Sequence, residues 1–136
     1  MSNVTIGSYL FFENGTCREA MEFYKGVFGG EVSYTTFDSM PGTQPEHADK
    51  IMHADLHGGD IGLFGSDVFE KQLGTGKIEL CLGGEDEARL TEIFDALSQG
   101  GTVRSALKKE AWGDTFGQLT DKYNVAWMVN IRTAQA

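Results

Sequence analysis

Apolar positions along the chain fall into two runs that repeat each other. Ala20, Phe23, Tyr24 and Val27 recur at helical spacing, and Leu90, Ile93, Phe94 and Leu97 do the same about 70 residues later. Each stripe follows an apolar stretch, at 9–12 and 78–82, and ends at a glycine pair, Gly29-Gly30 or Gly100-Gly101, that stops a helix. The first run predicts a strand over 4–12, a helix over 17–28 and strands over 31–37, 51–57 and 61–65. His57-Gly58-Gly59-Asp60 forms the turn of the last hairpin. The second run predicts a strand over 77–82, a helix over 85–98 and strands over 102–107, 115–120 and 125–131. Thr16 and Glu19 have the spacing of a capping box before the first helix. The loop 38–49, which holds both prolines, is placed near a pocket mouth.

A period this long marks a duplicated module rather than a solenoid unit. The expected fold is α+β: two βαβββ modules with curved, mostly antiparallel sheets in a single domain. Module one covers about 1–66, a linker about 67–76 and module two about 77–131. Helices cover one face of each sheet and leave the other for a ligand.

Strand alternation selects the side chains on that free face. Over 51–57, Met52, Ala54 and Leu56 form the apolar side, leaving His53, Asp55 and His57 opposite. Ile78, Leu80 and Leu82 face the second helix, leaving Glu79 and Cys81. Val125, Trp127, Val129 and Ile131 belong to the core, leaving Ala126, Met128 and Asn130. Matching parity adds Tyr9 and Phe11. The candidate pocket is therefore Tyr9, Phe11, His53, Glu79, Met128 and Asn130, an aromatic lining with few polar groups. Trp112 with Glu110 lies on a loop before a strand, as a lid over a ligand or as edge packing.

His53 is the candidate metal ligand of its strand, yet one ion cannot also reach His57. Same-face neighbours stand about 6.8 Å apart, and these two are twice that distance. Glu79 with His53 forms an acid/base pair if their strands bring them into reach. Cys17, in the first turn of a helix, is either simply packed or made reactive by the helix dipole.

Composition narrows the classes. A formal charge of −9 opposes nucleic acid and anionic membranes as partners, and no apolar run approaches the roughly 18 residues of a spanning helix. Residues 1–7 have neither a basic nor an apolar signal region, and two cysteines make no disulfide framework, so the cytoplasm is the expected compartment. Eighteen glycines against two prolines suit twisted sheets with tight turns. No nucleophile elbow, Walker loop or dinucleotide fingerprint is present. Gly29-Gly30 follows a helix rather than a strand, and Gly74-Thr-Gly-Lys77 lacks the spacing.

Several stretches in order carry a resemblance: Tyr9-Leu-Phe-Phe12, Ala20-Met-Glu-Phe-Tyr24, Val27-Phe-Gly-Gly30, Met40-Pro-Gly42, Ile51-Met-His-Ala54, Trp112-Gly113, Asp121-Lys122 and Trp127. The chain resembles the PhnB-like branch of the vicinal oxygen chelate superfamily, which also holds glyoxalase I, bleomycin-resistance proteins and extradiol dioxygenases. The resemblance implies paired βαβββ modules, a homodimer and a cavity in each curved sheet. It also implies metal-ligand positions, filled by His or Glu in the metal enzymes. Here they fall near Tyr9, at His53, at Lys77 or Glu79, and at Asn130. Only His53 and Glu79 suit a divalent ion, short of the usual three protein ligands. Relatives in this branch often carry a ubiquinone-methyltransferase label, for which this sequence has no cofactor loop.

The reading that follows is a cofactor-free protein binding a small, partly aromatic or amphipathic molecule at a homodimer pocket. Its alternative is a metal-dependent lyase, isomerase or dioxygenase using His53 and Glu79. A purely structural role would instead fill the cavity with the chain's own side chains.

Overall fold

The computed structural model describes residues 6–69 and 78–133. It divides into two compact units, residues 1–73 and 74–136. The first runs β1 (Tyr9–Phe12), α1 (Cys17–Phe28), β2 (Glu31–Thr36), β3 (Ile51–His57) and β4 (Leu63–Asp67), with two short 3₁₀ turns between β2 and β3. The second runs β5 (Leu80–Gly84), α2 (Glu87–Ser98), β6 (Thr102–Lys109), β7 (Thr115–Thr120) and β8 (Ala126–Ile131). The order βαβββ occurs twice, as the sequence predicts. The sheets are β1-β4-β3-β2 and β5-β8-β7-β6. In each, the first and last strands pair in parallel while the other pairings are antiparallel.

In the first unit, α1 buries Cys17, Ala20, Met21, Tyr24, Val27 and Phe28 against Phe12, Ala54, Leu56 and Leu63 of the sheet. Met21 completes the stripe, while Phe23 is only half buried. Ile51 breaks the expected alternation of β3 by joining the core. The ladder passes from Thr35 opposite His53 to Thr36 opposite Ile51, and the extra residue, Met52, turns Ile51 inward. Gly59 lets the β3–β4 turn lie directly on the end of α1. A Cβ there would overlap the carbonyl oxygen of Gly29, so the Gly29-Gly30 and Gly58-Gly59 pairs meet one another.

In the second unit, Leu90, Ile93, Phe94 and Leu97 of α2 pack with Leu119, Trp127, Val129 and Ile131. Trp127 is a core residue, in agreement with its parity. Asp86 caps α2 by accepting from the Arg89 N–H at 3.1 Å.

Four expectations need correction. The capping box is not made: the Thr16 hydroxyl donates to the Glu13 carbonyl, and the Cys17 N–H is taken by the Asp67 carboxylate from across the sheet. The strand expected at 61–65 lies at Leu63–Asp67, so Asp67 is part of the sheet rather than the linker. The strand expected at 77–82 lies at Leu80–Gly84, and Ile78, expected to face the helix, is 82% exposed. Its first paired residue is Leu80, opposite Trp127, so Ile78 has no strand beside it to set its facing. The strand expected from residue 4 begins at Tyr9. Residues 6–8 are not strand, and residues 1–5 lie outside the described residues, as do Lys77 and most of the expected linker. Among the described residues, no helix is long and apolar enough to cross a membrane.

Candidate functional site

On the face of the first sheet turned away from α1, aromatic side chains from three strands meet. Tyr9 and Phe11 of β1 stack with ring centroids 5.1 Å apart. Tyr9 stands opposite Phe64 of β4, their rings 6.0 Å apart. His53 of β3 lies 5.6 Å from both the Tyr9 and the Phe64 ring. The Tyr9 hydroxyl is hydrogen-bonded to His53 Nδ1 at 2.9 Å. Tyr9 is 40% and Phe11 52% exposed, a large aromatic area for one unit to leave in water. Burial raises the Tyr9 pKa, the nearby Cys17 adds to this and Ser66 opposes it, so the phenol keeps its proton.

The corresponding face of the second sheet is more polar. Met128 stands opposite both Cys81 and Gln118, and Asn130 opposite Gly83 and Phe116. Asn130 Nδ2 donates to Asp114 at 2.9 Å. Arg104 Nη2 donates to Glu79 at 2.6 Å, and Gln118 Nε2 reaches both Glu79 oxygens at 3.2 and 3.3 Å. The Arg104 guanidinium, more than any other group, holds the Glu79 carboxyl below its ordinary pKa. Trp112 sits in the β6–β7 connection, 62% exposed, with its ring edge-on to Phe116 at 5.9 Å.

The Glu79 ion pair has a measurable signature. A folded-state carboxyl pKa below the unfolded value, ordinarily about 4.3, contributes stability above that pH. The contribution disappears as pH falls through the folded value. Arg104→Gln is expected to flatten this acid-side loss in denaturation curves taken from neutral pH downward. An unchanged acid limb in the variant would show that the pair does not contribute.

The structure brings Tyr9, Phe11 and His53 into one cluster and places Glu79, Met128 and Asn130 on one sheet face. It also adds residues that sequence reasoning missed. Phe64 and Gln118 were within reach, since alternation along 61–65 and 115–120 puts each on the free face. Arg104 was not, because β6 changes register twice around it. The repeat aligns the two networks: Tyr9 of β1 bonds His53 of β3, and Glu79, the residue just before β5, bonds Gln118 of β7. Gln118, rather than Asn130, is thus the counterpart of His53.

Other candidates resolve simply. His57 is exposed, with Nδ1 3.7 Å from Asp55 Oδ1, as a turn residue beside a solvated carboxylate. Cys17 is buried, and burial followed by the Asp67 charge pushes its thiol up to about 12, overriding the helix dipole. An open cleft of about 420 Å³ beside α1 is lined by charged groups including Arg18, Glu22, Asp49 and Lys50. It has little of the aromatic chemistry of the sheet face. Two of its charges are engaged at Tyr34, whose hydroxyl donates to Glu22 at 2.6 Å beneath the Arg18 guanidinium. Burial and that carboxylate push the Tyr34 pKa up. Among the described residues, no three His, Cys, Asp or Glu side chains gather where one ion could hold them.

Two βαβββ units with parallel outer pairing define a protein of the glyoxalase/bleomycin-resistance/dioxygenase fold. Residues 4–130 match the family model described as 3-demethylubiquinone-9 3-methyltransferase, and the chain belongs to that family, the PhnB-like branch of the vicinal oxygen chelate superfamily. Protein PA1353 from Pseudomonas aeruginosa is similar in structure, with a TM-score of 0.79 and 32% identity over 96% of this chain and 100% of that one. The PhnB protein from Bacillus cereus follows, with a TM-score of 0.72 and 25% identity over 94% and 99%. Protein YjdN of Escherichia coli (strain K12) is 27% identical over 93% of this chain and 94% of its own length.

Proposed function

We propose that this chain binds a small, partly aromatic molecule without a metal ion, in a pocket of a homodimer, with Tyr9, Phe11 and His53 as the principal contacts. The observation that carries this reading is the cluster of exposed Tyr9 and Phe11 with half-buried Phe64 around the hydrogen-bonded His53. Fully burying one such aromatic side chain is worth about 1.5–3 kcal/mol, so the cluster favours a flat apolar cover. Few polar groups accompany it, which suits orientation of a ligand rather than solvation of an ion. Within the second unit taken by itself, Met128, Asn130, Glu79 and Trp112 are the proposed ligand contacts.

The donors available do not fit a divalent ion. His53 offers one nitrogen beside a neutral phenol, and Glu79 is held against a guanidinium whose charge repels a cation. The methyltransferase description of the family likewise finds no cofactor loop in this chain.

Ligand-dependent melting tests the reading, with coumarin and indole as flat probes, in EDTA and with added zinc, nickel, manganese or iron. Saturating probe at about 100 times its Kd is expected to stabilise the wild type by about 2.7 kcal/mol. His53→Ala should lose that gain while melting nearly as the wild type without probe. A large loss of stability in the variant alone would make His53 a structural residue, and a metal-dependent rise in Tm would revive the metal enzyme. Light scattering at the 14.9 kDa monomer mass would remove the dimer.

A further inference from the structure

The Tyr9–His53 hydrogen bond says more about the ligand than its size. Nδ1 is the nitrogen engaged, at 2.9 Å, and Nε2 has no protein partner among the described residues. A neutral imidazole carries one proton, and the partner of one nitrogen decides which nitrogen holds it. The Tyr9 hydroxyl can donate to Nδ1 or accept from an Nδ1–H, and the first is the stronger pairing, because a phenol is a good donor and a poor acceptor while an imidazole nitrogen is a good acceptor. The ring of His53 is further held by its stack on Phe64, with an interplanar angle of 28°.

We infer that Tyr9 locks His53 in the Nε2–H form, so that the free face of the first sheet presents a single hydrogen-bond donor above an aromatic floor. Such a face selects flat molecules that bear a carbonyl or similar acceptor and discriminates against donor-only rings of the same shape. Tyr9 is then a positioning residue for His53 as well as a contact. The ligand class rests on the binding reading proposed above; the tautomer does not.

Both parts are tested on the ¹⁵N-labelled full chain at about pH 8.5, above the ordinary histidine range. Long-range proton–nitrogen correlations report the tautomer, and the His53 signals are assigned by their loss in His53→Gln. The expected result is a predominantly Nε2–H ring in the wild type and a redistributed one in Tyr9→Phe. Titration with coumarin, an acceptor only, should shift the His53 and Phe64 resonances. Indole, a donor of similar shape, should bind more weakly by about five- to tenfold, the worth of one hydrogen bond. Tyr9→Phe should weaken coumarin and tighten indole, narrowing the gap between the two probes. A wild-type Nδ1–H ring, or a tautomer insensitive to Tyr9→Phe, overturns the lock even if coumarin binds. Equal binding of the two probes overturns the acceptor preference. A locked ring that neither probe perturbs upholds the lock and overturns the binding reading with the ligand class built on it.

Discussion

Asp121→Ala is expected to cost the second unit about 3–5 kcal/mol. The side chain is only 3% exposed and accepts three N–H groups. Oδ1 takes the backbone N–H of Tyr123 at 2.8 Å and of Val125 at 3.1 Å, and Oδ2 takes Trp127 Nε1 at 2.8 Å. Alanine would strand the indole donor inside the core, at about 1–3 kcal/mol for a buried unsatisfied group. It would also release the β7–β8 turn, where Asn124 adopts a positive φ of 67°. Asp121→Asn should cost less, since it keeps one oxygen but presents an amide to a donor. Urea denaturation followed by Trp127 fluorescence measures both, and a loss under about 1 kcal/mol for alanine would contradict this account.

Asp67→Ala is expected to cost about 3 kcal/mol in the first unit, by a different route. Asp67, 2% exposed at the end of β4, accepts the Cys17 N–H at 2.9 Å and the Ile51 N–H at 2.8 Å. One carboxylate therefore caps α1 and pins the start of β3. Loss of a cap costs about 1 kcal/mol and a stranded buried N–H about 1–3 kcal/mol. Thr16→Ala should cost under about 0.5 kcal/mol, because that hydroxyl bonds Glu13 instead of the helix. Hydrogen exchange in the first turn of α1 distinguishes them: faster in Asp67→Ala, nearly unchanged in Thr16→Ala. Equal effects at the two positions would restore the local cap that the sequence suggests.

These two aspartates show where legibility ended. The helices, the strand order and the repeat were readable because burial imposes a period of 3.6 or 2 on the residues themselves. Tyr9, Phe11, His53, Met128 and Trp127 fell on their correct faces by that rule. Asp67 and Asp121 carry no periodic signal; each looks like an ordinary turn or linker residue until the strand it ends is folded. The bulge that turns Ile51 inward and the register shifts around Arg104 are invisible for the same reason, since they depend on the partner strand. The Thr16 capping box failed because the Thr16 hydroxyl turns back to the Glu13 carbonyl, while a carboxylate distant in sequence takes the Cys17 N–H. The candidate site was thus legible as a set of strand faces and illegible as a set of hydrogen bonds.

The parallel pairing of first and last strands bears on how each unit comes into being. Tyr9 has its partner, Phe64, about 55 residues later, whereas β2, β3 and β4 find theirs in nearby antiparallel neighbours. The cost of loop closure favours the local meander β2–β3–β4 over the long-range β1–β4 pair, which cannot form until β4 has been made. The register that sets Tyr9 beside Phe64 depends on that pair, so a nascent chain that stops before residue 64 cannot display the aromatic cluster.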